Sequence, residues 1–349
     1  MMQPPLFGAF PGLSQRLPWH SLLPAPTPVH PLPDLGPLWI KRDDASSEVY
    51  GGSKVRKLEF LLGEALSQNR GHVITMGAIG SHHAAATAAF CRQLGLSCET
   101  ILCRQPLTAE VCANLARIQG SGARIRYAGS PAVAAALYLR HAAFRRRGTY
   151  LIPPGGSSPR GVLGLVNAVF ELRDQIAEGR LPRPYLLVCP LGTGGMVAGF
   201  ALGCFLAGLD CQVIGVRVYP ARHGIIPLIG RGALRRLIRR TAGLIERSGG
   251  RLPRGEPREP VILDGYLGRG YGHPTAEGQA AQRRIWELAR IGLEPTYTAK
   301  AFAATIDALA LKPGEGPVLF WNSCAGRDSP LGAREASSWG GTPPCPTVR

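Results

Sequence analysis

Residues 185–199 read Tyr185-Leu186-Leu187-Val188-Cys189-Pro190-Leu191-Gly192-Thr193-Gly194-Gly195-Met196-Val197-Ala198-Gly199. The stretch is an apolar strand, a glycine-rich turn and the start of a helix. Successive backbone N–H groups in such a turn form an anion nest, which the N-terminus of the following helix reinforces. Gly194 and Gly195 let the main chain approach a phosphate closely. No Lys-Ser or Lys-Thr pair ends the turn, so it is not a Walker loop. No acidic residue stands about twenty positions further on at the tip of a next strand, so the dinucleotide fingerprint fails as well. A lone phosphate monoester fits this turn better.

The same alternation extends in both directions. Towards the N-terminus the pattern predicts a short strand at Leu38–Arg42, a helix from Lys54 to about Ser67, a strand at His72–Met76 and an alanine-rich helix from His82. Strands at Glu99–Leu102, Ala123–Tyr127 and Tyr150–Ile152 follow, with helices near Thr108–Ile118 and Pro131–Arg145 between them. Beyond the glycine turn, strands are expected at Gln212–Val218, Pro260–Leu263 and Pro317–Trp321. Strands alternating with helices define an α/β protein whose mainly parallel sheets are covered on both faces. Ligands of such folds bind at the carboxyl ends of the strands. Residues 1–36, rich in proline and leucine, read as an irregular arm, and the last dozen residues as a loose tail.

The chain has 349 residues, enough for one large or two medium domains, with 45% hydrophobic and 18% charged residues and a formal net charge of +17. Zinc-finger spacing and an aromatic-rich RNA-binding pattern are both missing, so the charge reads as solvated surface plus an anionic-ligand site. At Arg235–Arg247 the apolar residues Leu234, Leu237, Ile238, Thr241, Leu244 and Ile245 share one helical face, with Arg235, Arg236, Arg239 and Arg240 opposite. This pattern predicts a surface helix packed on its own domain, in preference to a membrane-surface helix. The nine cysteines show no CxxC pair, and Cys189 reads as a buried thiol of a reducing compartment. A cytoplasmic protein without signal peptide or membrane span is expected.

Two further glycine segments bear chemistry. In Gly51-Gly52-Ser53-Lys54-Val55-Arg56-Lys57 a lysine follows a glycine turn, where desolvation can free its amine for a Schiff base. Alone, the segment reads equally well as the basic start of a helix. In Gly77-Ala78-Ile79-Gly80-Ser81-His82-His83, Ser81 and the N–H groups around it suit a carboxylate. The two histidines point roughly 100° apart on a helix, with no third ligand in register, so no metal site is expected. A lysine, a phosphate nest and a carboxylate nest together describe a site for an amino acid joined to pyridoxal phosphate.

At this point the chain resembles the fold-type-II pyridoxal-phosphate enzymes, in the branch of aminocyclopropane-carboxylate deaminase and D-cysteine desulfhydrase. The resemblance covers about residues 24 to 327 and rests on Leu38–Asp44 (LWIKRDD), Gly51–Leu62 (GGSKVRKLEFLL), Gly155–Pro159 (GGSSP), Gly192–Gly199, Gly270–Gly278 (GYGHPTAEG) and Glu294–Lys300 (EPTYTAK). It implies a tryptophan-synthase-β-like architecture with the cofactor between two domains: residues 1–56 with 167–349, and an inserted smaller domain at 57–166. It also implies pyridoxal 5′-phosphate on Lys54, with Lys57, His82, Gly192, Thr193, Gly194 and Gly195 as further cofactor contacts. Ser81 would receive the substrate carboxylate, and Tyr271 and Tyr297 match the family's two active-site tyrosines. Thr298 matches the position facing the pyridine nitrogen, although a threonine there also suits a helix cap.

Two departures stand out. His82 replaces the usual asparagine beside the cofactor's phenolic oxygen, and Asn322-Ser323-Cys324-Ala325 replaces a histidine-threonine-glycine-glycine stretch on the substrate side. The ring-opening deaminases carry glutamate where this chain has Thr298, and leucine where it has Ser323. Both differences favour β-elimination from D-cysteine or a β-substituted D-alanine, with ring opening of 1-aminocyclopropane-1-carboxylate as the alternative. The expected partners are a small amino acid and a second copy of the chain, without specific nucleic acid or membrane.

Overall fold

The computed structural model describes residues 3–144, 147–223, 226–227, 229–311 and 316–324. The expected C-terminal tail and Ala325 lie outside them. In chain order the strands are β1 (Val29–Pro31), β2 (Leu38–Arg42), β3 (His72–Ala78), β4 (Ser97–Cys103), β5 (Arg124–Tyr127), β6 (Thr149–Ile152), β7 (Leu186–Leu191), β8 (Gln212–Arg217), β9 (Arg222–His223), β10 (Ile226–Pro227), β11 (Val261–Leu263) and β12 (Val318–Asn322). The helices are α1 (Pro5–Ala9), α2 (Lys54–Ser67), α3 (His82–Gln93), α4 (Ala109–Gly120), α5 (Pro131–Phe144), α6 (Pro159–Ala177), α7 (Gly195–Ala207), α8 (Arg231–Arg247), α9 (Ala276–Ala289) and α10 (Thr298–Leu311).

Two separate sheets carry the fold. The larger has the order β1-β2-β12-β7-β8-β11, parallel throughout except for the antiparallel edge strand β1. The smaller, β5-β4-β3-β6, is wholly parallel. β7 lies in the middle of the larger sheet with every residue buried, as its uninterrupted apolar run requires. One face is covered by α6 and α7, where Phe200 stacks on Trp321 at 4.4 Å between ring centres. The other is covered by α10, whose Phe302 meets Phe320 edge-on at 4.9 Å.

The smaller sheet falls between His72 and Ile152, inside the segment expected as the inserted domain. The chain enters it through α2 and leaves it through α6, and these helices pack on each other. Their backbones touch so closely that a Cβ on Gly164 would overlap the Arg56 carbonyl.

The described part of the arm, residues 3–36, is more regular than its composition predicts. Pro5 starts α1, where its missing N–H is no loss, and buries Leu6 and Phe7 against the core, while Pro31 ends a strand on the sheet edge. The α8 expectation agrees with the structure: Leu234, Ile238, Thr241 and Ile245 are buried against the domain, and Arg235, Arg236, Arg239 and Arg240 are exposed.

Candidate active site

Lys54 is the first residue of α2, and its turn is tied down on both sides. Gly52 has φ +124°, and a Cβ there would lie 2.7 Å from the Ser323 carbonyl at the end of β12, so only glycine fits. The Ser53 N–H donates to that same carbonyl at 2.9 Å, and the Ser53 hydroxyl donates to Asp43 at 2.7 Å. Asp43 also holds Arg56, which in turn donates to Glu171; Lys41 donates to Glu171 from the other side. Burial would raise the Glu171 carboxyl, but Arg56 and Lys41 outweigh it and hold its pKa at about 2. This network fixes the base of the helix that presents Lys54. Burial lowers the Lys54 pKa, opposed by Cys324, Glu294 and Cys189 nearby, and so favours the free amine.

One turn along α2, Lys57 donates to the Gly155 carbonyl at 2.8 Å and the Ser157 hydroxyl at 3.1 Å. Ser157 shares a 2.6 Å hydrogen bond with Thr193 of the glycine turn. Gly194 has φ +82°, and a Cβ on Gly195 would stand 2.5 Å from the Lys57 ammonium. The nest after β7 therefore faces a buried lysine, across a loop whose Gly155 and Gly156 both have positive φ. Burial, reinforced by Lys54, pushes the Lys57 pKa far down. His83 is buried beside Gly156, and neither ring nitrogen has a hydrogen-bond partner among the described residues. Burial followed by the charges of Lys57 and Lys54 holds it neutral. The His83 nitrogens lack a partner among the described residues, and they adjoin two lysines and a glycine turn at a helix N-terminus, a setting that suits an anion. A phosphate beside a lysine amine fits that setting.

The other end of the cleft is built from the N-terminus of α3 and the loop before α10. Ser81 caps α3, its Oγ accepting the Ala84 N–H at 3.2 Å, which leaves its own hydrogen to donate. His82 Nδ1 bonds the Tyr50 hydroxyl at 2.8 Å, and His82 Nε2 stands 3.9 Å from Glu294 Oε1. Glu294 accepts the N–H groups of Thr296 and Tyr297 at 2.8 and 2.7 Å. Burial would raise its pKa, but His82 and Thr296 outweigh this and keep it a carboxylate. Thr298 is fully buried, and its hydroxyl accepts the Glu294 N–H at 2.7 Å, a group of the preceding loop and not of α10. Its own hydrogen has only a 3.3 Å contact with the Glu294 carbonyl and can turn to another acceptor.

The Tyr271 and Tyr297 hydroxyls are hydrogen-bonded to each other. Burial raises both phenols, Tyr297 further through Tyr271, so both stay protonated at neutral pH. Tyr297 also borders the phosphate turn, because a Cβ on Gly192 would meet its ring at 3.5 Å. Lys54, Lys57, the glycine turn, His82, Thr298 and both tyrosines thus converge on one cleft between the two sheets. Cys324 joins them: burial, then Glu294, push its thiol pKa well up.

Fold and cleft together define a fold-type-II α/β enzyme with a phosphate-and-lysine site. Residues 20–323 match the family model described as pyridoxal-phosphate dependent enzyme, and the chain belongs to that family. It is 35% identical to nocardicin C-9' epimerase of Nocardia uniformis subsp. tsuyamanensis, over 90% of this chain and 94% of that protein. It is 32% identical to D-cysteine desulfhydrase of Klebsiella pneumoniae, over 87% and 93%. Among solved structures it resembles an ACC deaminase homologue with a TM-score of 0.76 and 30% identity, over 96% of this chain and 99% of that one.

Sequence reasoning assigned no role to Glu294 or His83, and placed Cys324 only within a segment on the substrate side. Cys324 reaches the cleft through the pairing of β12 beside β2 and β7, and Glu294 through the loop that leads into α10, neither of which a local pattern announces. His83 was legible as half of a histidine pair, and Lys57 as a cofactor contact, but their closeness in space was not.

Proposed function

We propose that the chain holds pyridoxal 5′-phosphate on Lys54 and eliminates the β-substituent of D-cysteine or a β-substituted D-alanine, giving pyruvate and ammonia. The observation that supports the reading is the pairing of a desolvated Lys54 amine with a cradle one helical turn away, where buried Lys57 and the unpartnered His83 ring adjoin the glycine turn. Lys57, His83, Ser157, Thr193 and the N–H groups of Gly192, Gly194 and Gly195 would hold the phosphate. Bound there, the cofactor supplies an electron sink for the α-carbon of the amino acid attached to it.

The rest is the work of this chain's residues. Ser81 and the first turn of α3 bind the substrate carboxylate. The Lys54 amine accepts the α-proton, a role that its burial favours by lowering its pKa. The Tyr271–Tyr297 pair keeps a proton at hand for the departing group. Thr298 offers the pyridine nitrogen a hydroxyl, which leaves that nitrogen less charged than a carboxylate would and favours prompt elimination. The likeness to D-cysteine desulfhydrase supports this choice, and the likeness to an ACC deaminase homologue supports ring opening to 2-oxobutyrate and ammonia as the second reading. The reading includes residues 57–166 as the smaller domain, with boundaries inside α2 and α6, and a homodimer acting in the cytoplasm. Among the described residues no helix is long and apolar enough to cross a membrane.

The test is a substrate panel assayed for keto acid and ammonia. D-Cysteine or β-chloro-D-alanine should release pyruvate, and 1-aminocyclopropane-1-carboxylate little 2-oxobutyrate; the reverse order would replace the first reading with the second. Solvent deuterium entering the α-carbon without keto acid would instead point to epimerisation. Borohydride reduction should fix the cofactor on Lys54, and label on Lys57 would overturn the assignment.

A further inference from the structure

We infer that Cys204 and Cys211 form a two-sulfur site for a soft monovalent cation, of which Cu+ is the type, at the end of α7 remote from the cofactor cleft. Cys204 stands in the last turn of that helix, about 14 Å along its axis from Gly195. Gly208, with φ +67°, ends the helix, and the Leu209 N–H turns back to donate to the Cys204 carbonyl at 2.9 Å. The Cys211 N–H then donates to the Leu209 carbonyl at 2.9 Å, which folds the second cysteine back over the first. Both are buried free thiols, and they hydrogen-bond to each other.

Three features set this pair apart from thiols that merely fill a core. A cavity of about 300 Å³ opens on both sulfurs, walled also by Phe205, Leu209, Glu256 and Arg258, and gives an ion a way in. Arg258, paired at the rim with Asp210 at 3.5 Å, supplies a countercharge. The hydrogen bond from Cys204, then burial, push the Cys211 pKa up, and Arg258 pulls against them. Two thiolates around one Cu+ leave a single negative charge, which this guanidinium offsets.

The third feature is the ligand count. Among the described residues no third histidine, cysteine or carboxylate brings a ligand atom within 4.8 Å of both sulfurs. Zinc takes four ligands, and calcium and magnesium take oxygen, whereas thiolates select Cu+ and two of them can hold it in line. Metal–sulfur bonds of ~2.3 Å laid end to end put the sulfurs about 4.6 Å apart, and the adjoining cavity gives the pair room to open. Each sulfur exchanges its S–H bond for a metal–sulfur bond, both protons pass to solvent, and no electron is transferred. Cys91 and Cys98 make a second hydrogen-bonded pair in the core under α3, but no cation acts on it. That pair is the internal control.

Cu+ is the probe, added under nitrogen to the cofactor-loaded enzyme in competition with a chromophoric cuprous chelator. The expected result is one Cu+ per chain held against the chelator, with thiolate-to-copper absorbance in the ultraviolet and two sulfur neighbours in X-ray absorption. Cys204→Ala and Cys211→Ala should each weaken binding about a hundredfold or more, and Cys91→Ala should leave it unchanged. Arg258→Gln, an exposed change that spares the core, should weaken it about tenfold. Unfolding curves show which cysteine variants keep the fold, and the Arg258 result does not depend on them. Uptake unchanged in both Cys204→Ala and Cys211→Ala would overturn the proposal, as would no uptake by the unaltered enzyme. Loss of the ion in Cys91→Ala alone would move it to the other pair and overturn the proposal too. The elimination assay is run without copper, so the two readings fail separately.

Discussion

Glu59 lies on α2 between Lys57 and the arm, and its titration should make stability fall as pH rises. Its Oε1 accepts the N–H groups of Leu22 and Leu23 at 3.1 and 3.3 Å, and its carbonyl accepts that of His20, so it fastens the arm across the helix that carries Lys54. Burial moves its pKa from 4.5 up to about 7, offset in part by the Leu22 N–H and the Arg56 charge. Between those values the folded chain keeps a proton that the unfolded chain has lost. The stability this proton supplies is complete below 4.5 and gone above about 7, a loss of about 3 kcal/mol at ~1.4 kcal/mol per pH unit. Glu59→Gln keeps the accepting oxygen and cannot ionise. Urea unfolding of both proteins, loaded with cofactor, should give similar stabilities at pH 4.5 and a variant about 3 kcal/mol more stable at pH 8. A pH-independent difference, or a variant advantage that grows towards acid, would refute the reasoning.

Three other outcomes are expected. Gly194→Ala forces a side chain into a left-handed turn 2.9 Å from Leu234, and should weaken cofactor retention about tenfold in equilibrium dialysis. Tyr297→Phe removes one hydroxyl of the tyrosine pair and should slow turnover by ~10²-fold while the visible absorbance of the bound cofactor persists. Glu171→Gln leaves Lys41 and Arg56 buried without their shared carboxylate, and should destabilise the fold by about 3–5 kcal/mol in denaturant titrations.

The parts of the molecule legible in the sequence are those whose physics is local. β7 announces itself because a strand covered on both faces is apolar without interruption, and the following turn because only glycine allows φ +82° at Gly194 beside a helix start. The arm was misread for an equally local reason: Pro5 and Pro31 break helices and strands in general, yet one sits at a helix start and the other at a sheet edge. The cleft was legible where a residue's local setting singles it out, as the glycine turn before Lys54 does. Where function depends on company, sequence falls short. The 100° between neighbouring helical residues rightly separated His82 from His83, and that same angle explains their different settings. One faces Tyr50 and Glu294, while the other lies beside Gly156 and Lys57, with its nitrogens unpartnered among the described residues. A pair of adjacent histidines thus faces two ends of one cleft. The partners that give each its role arrive from β12, from the loop before α10 and from the loop before α6, through sheet order and not through spacing along the chain.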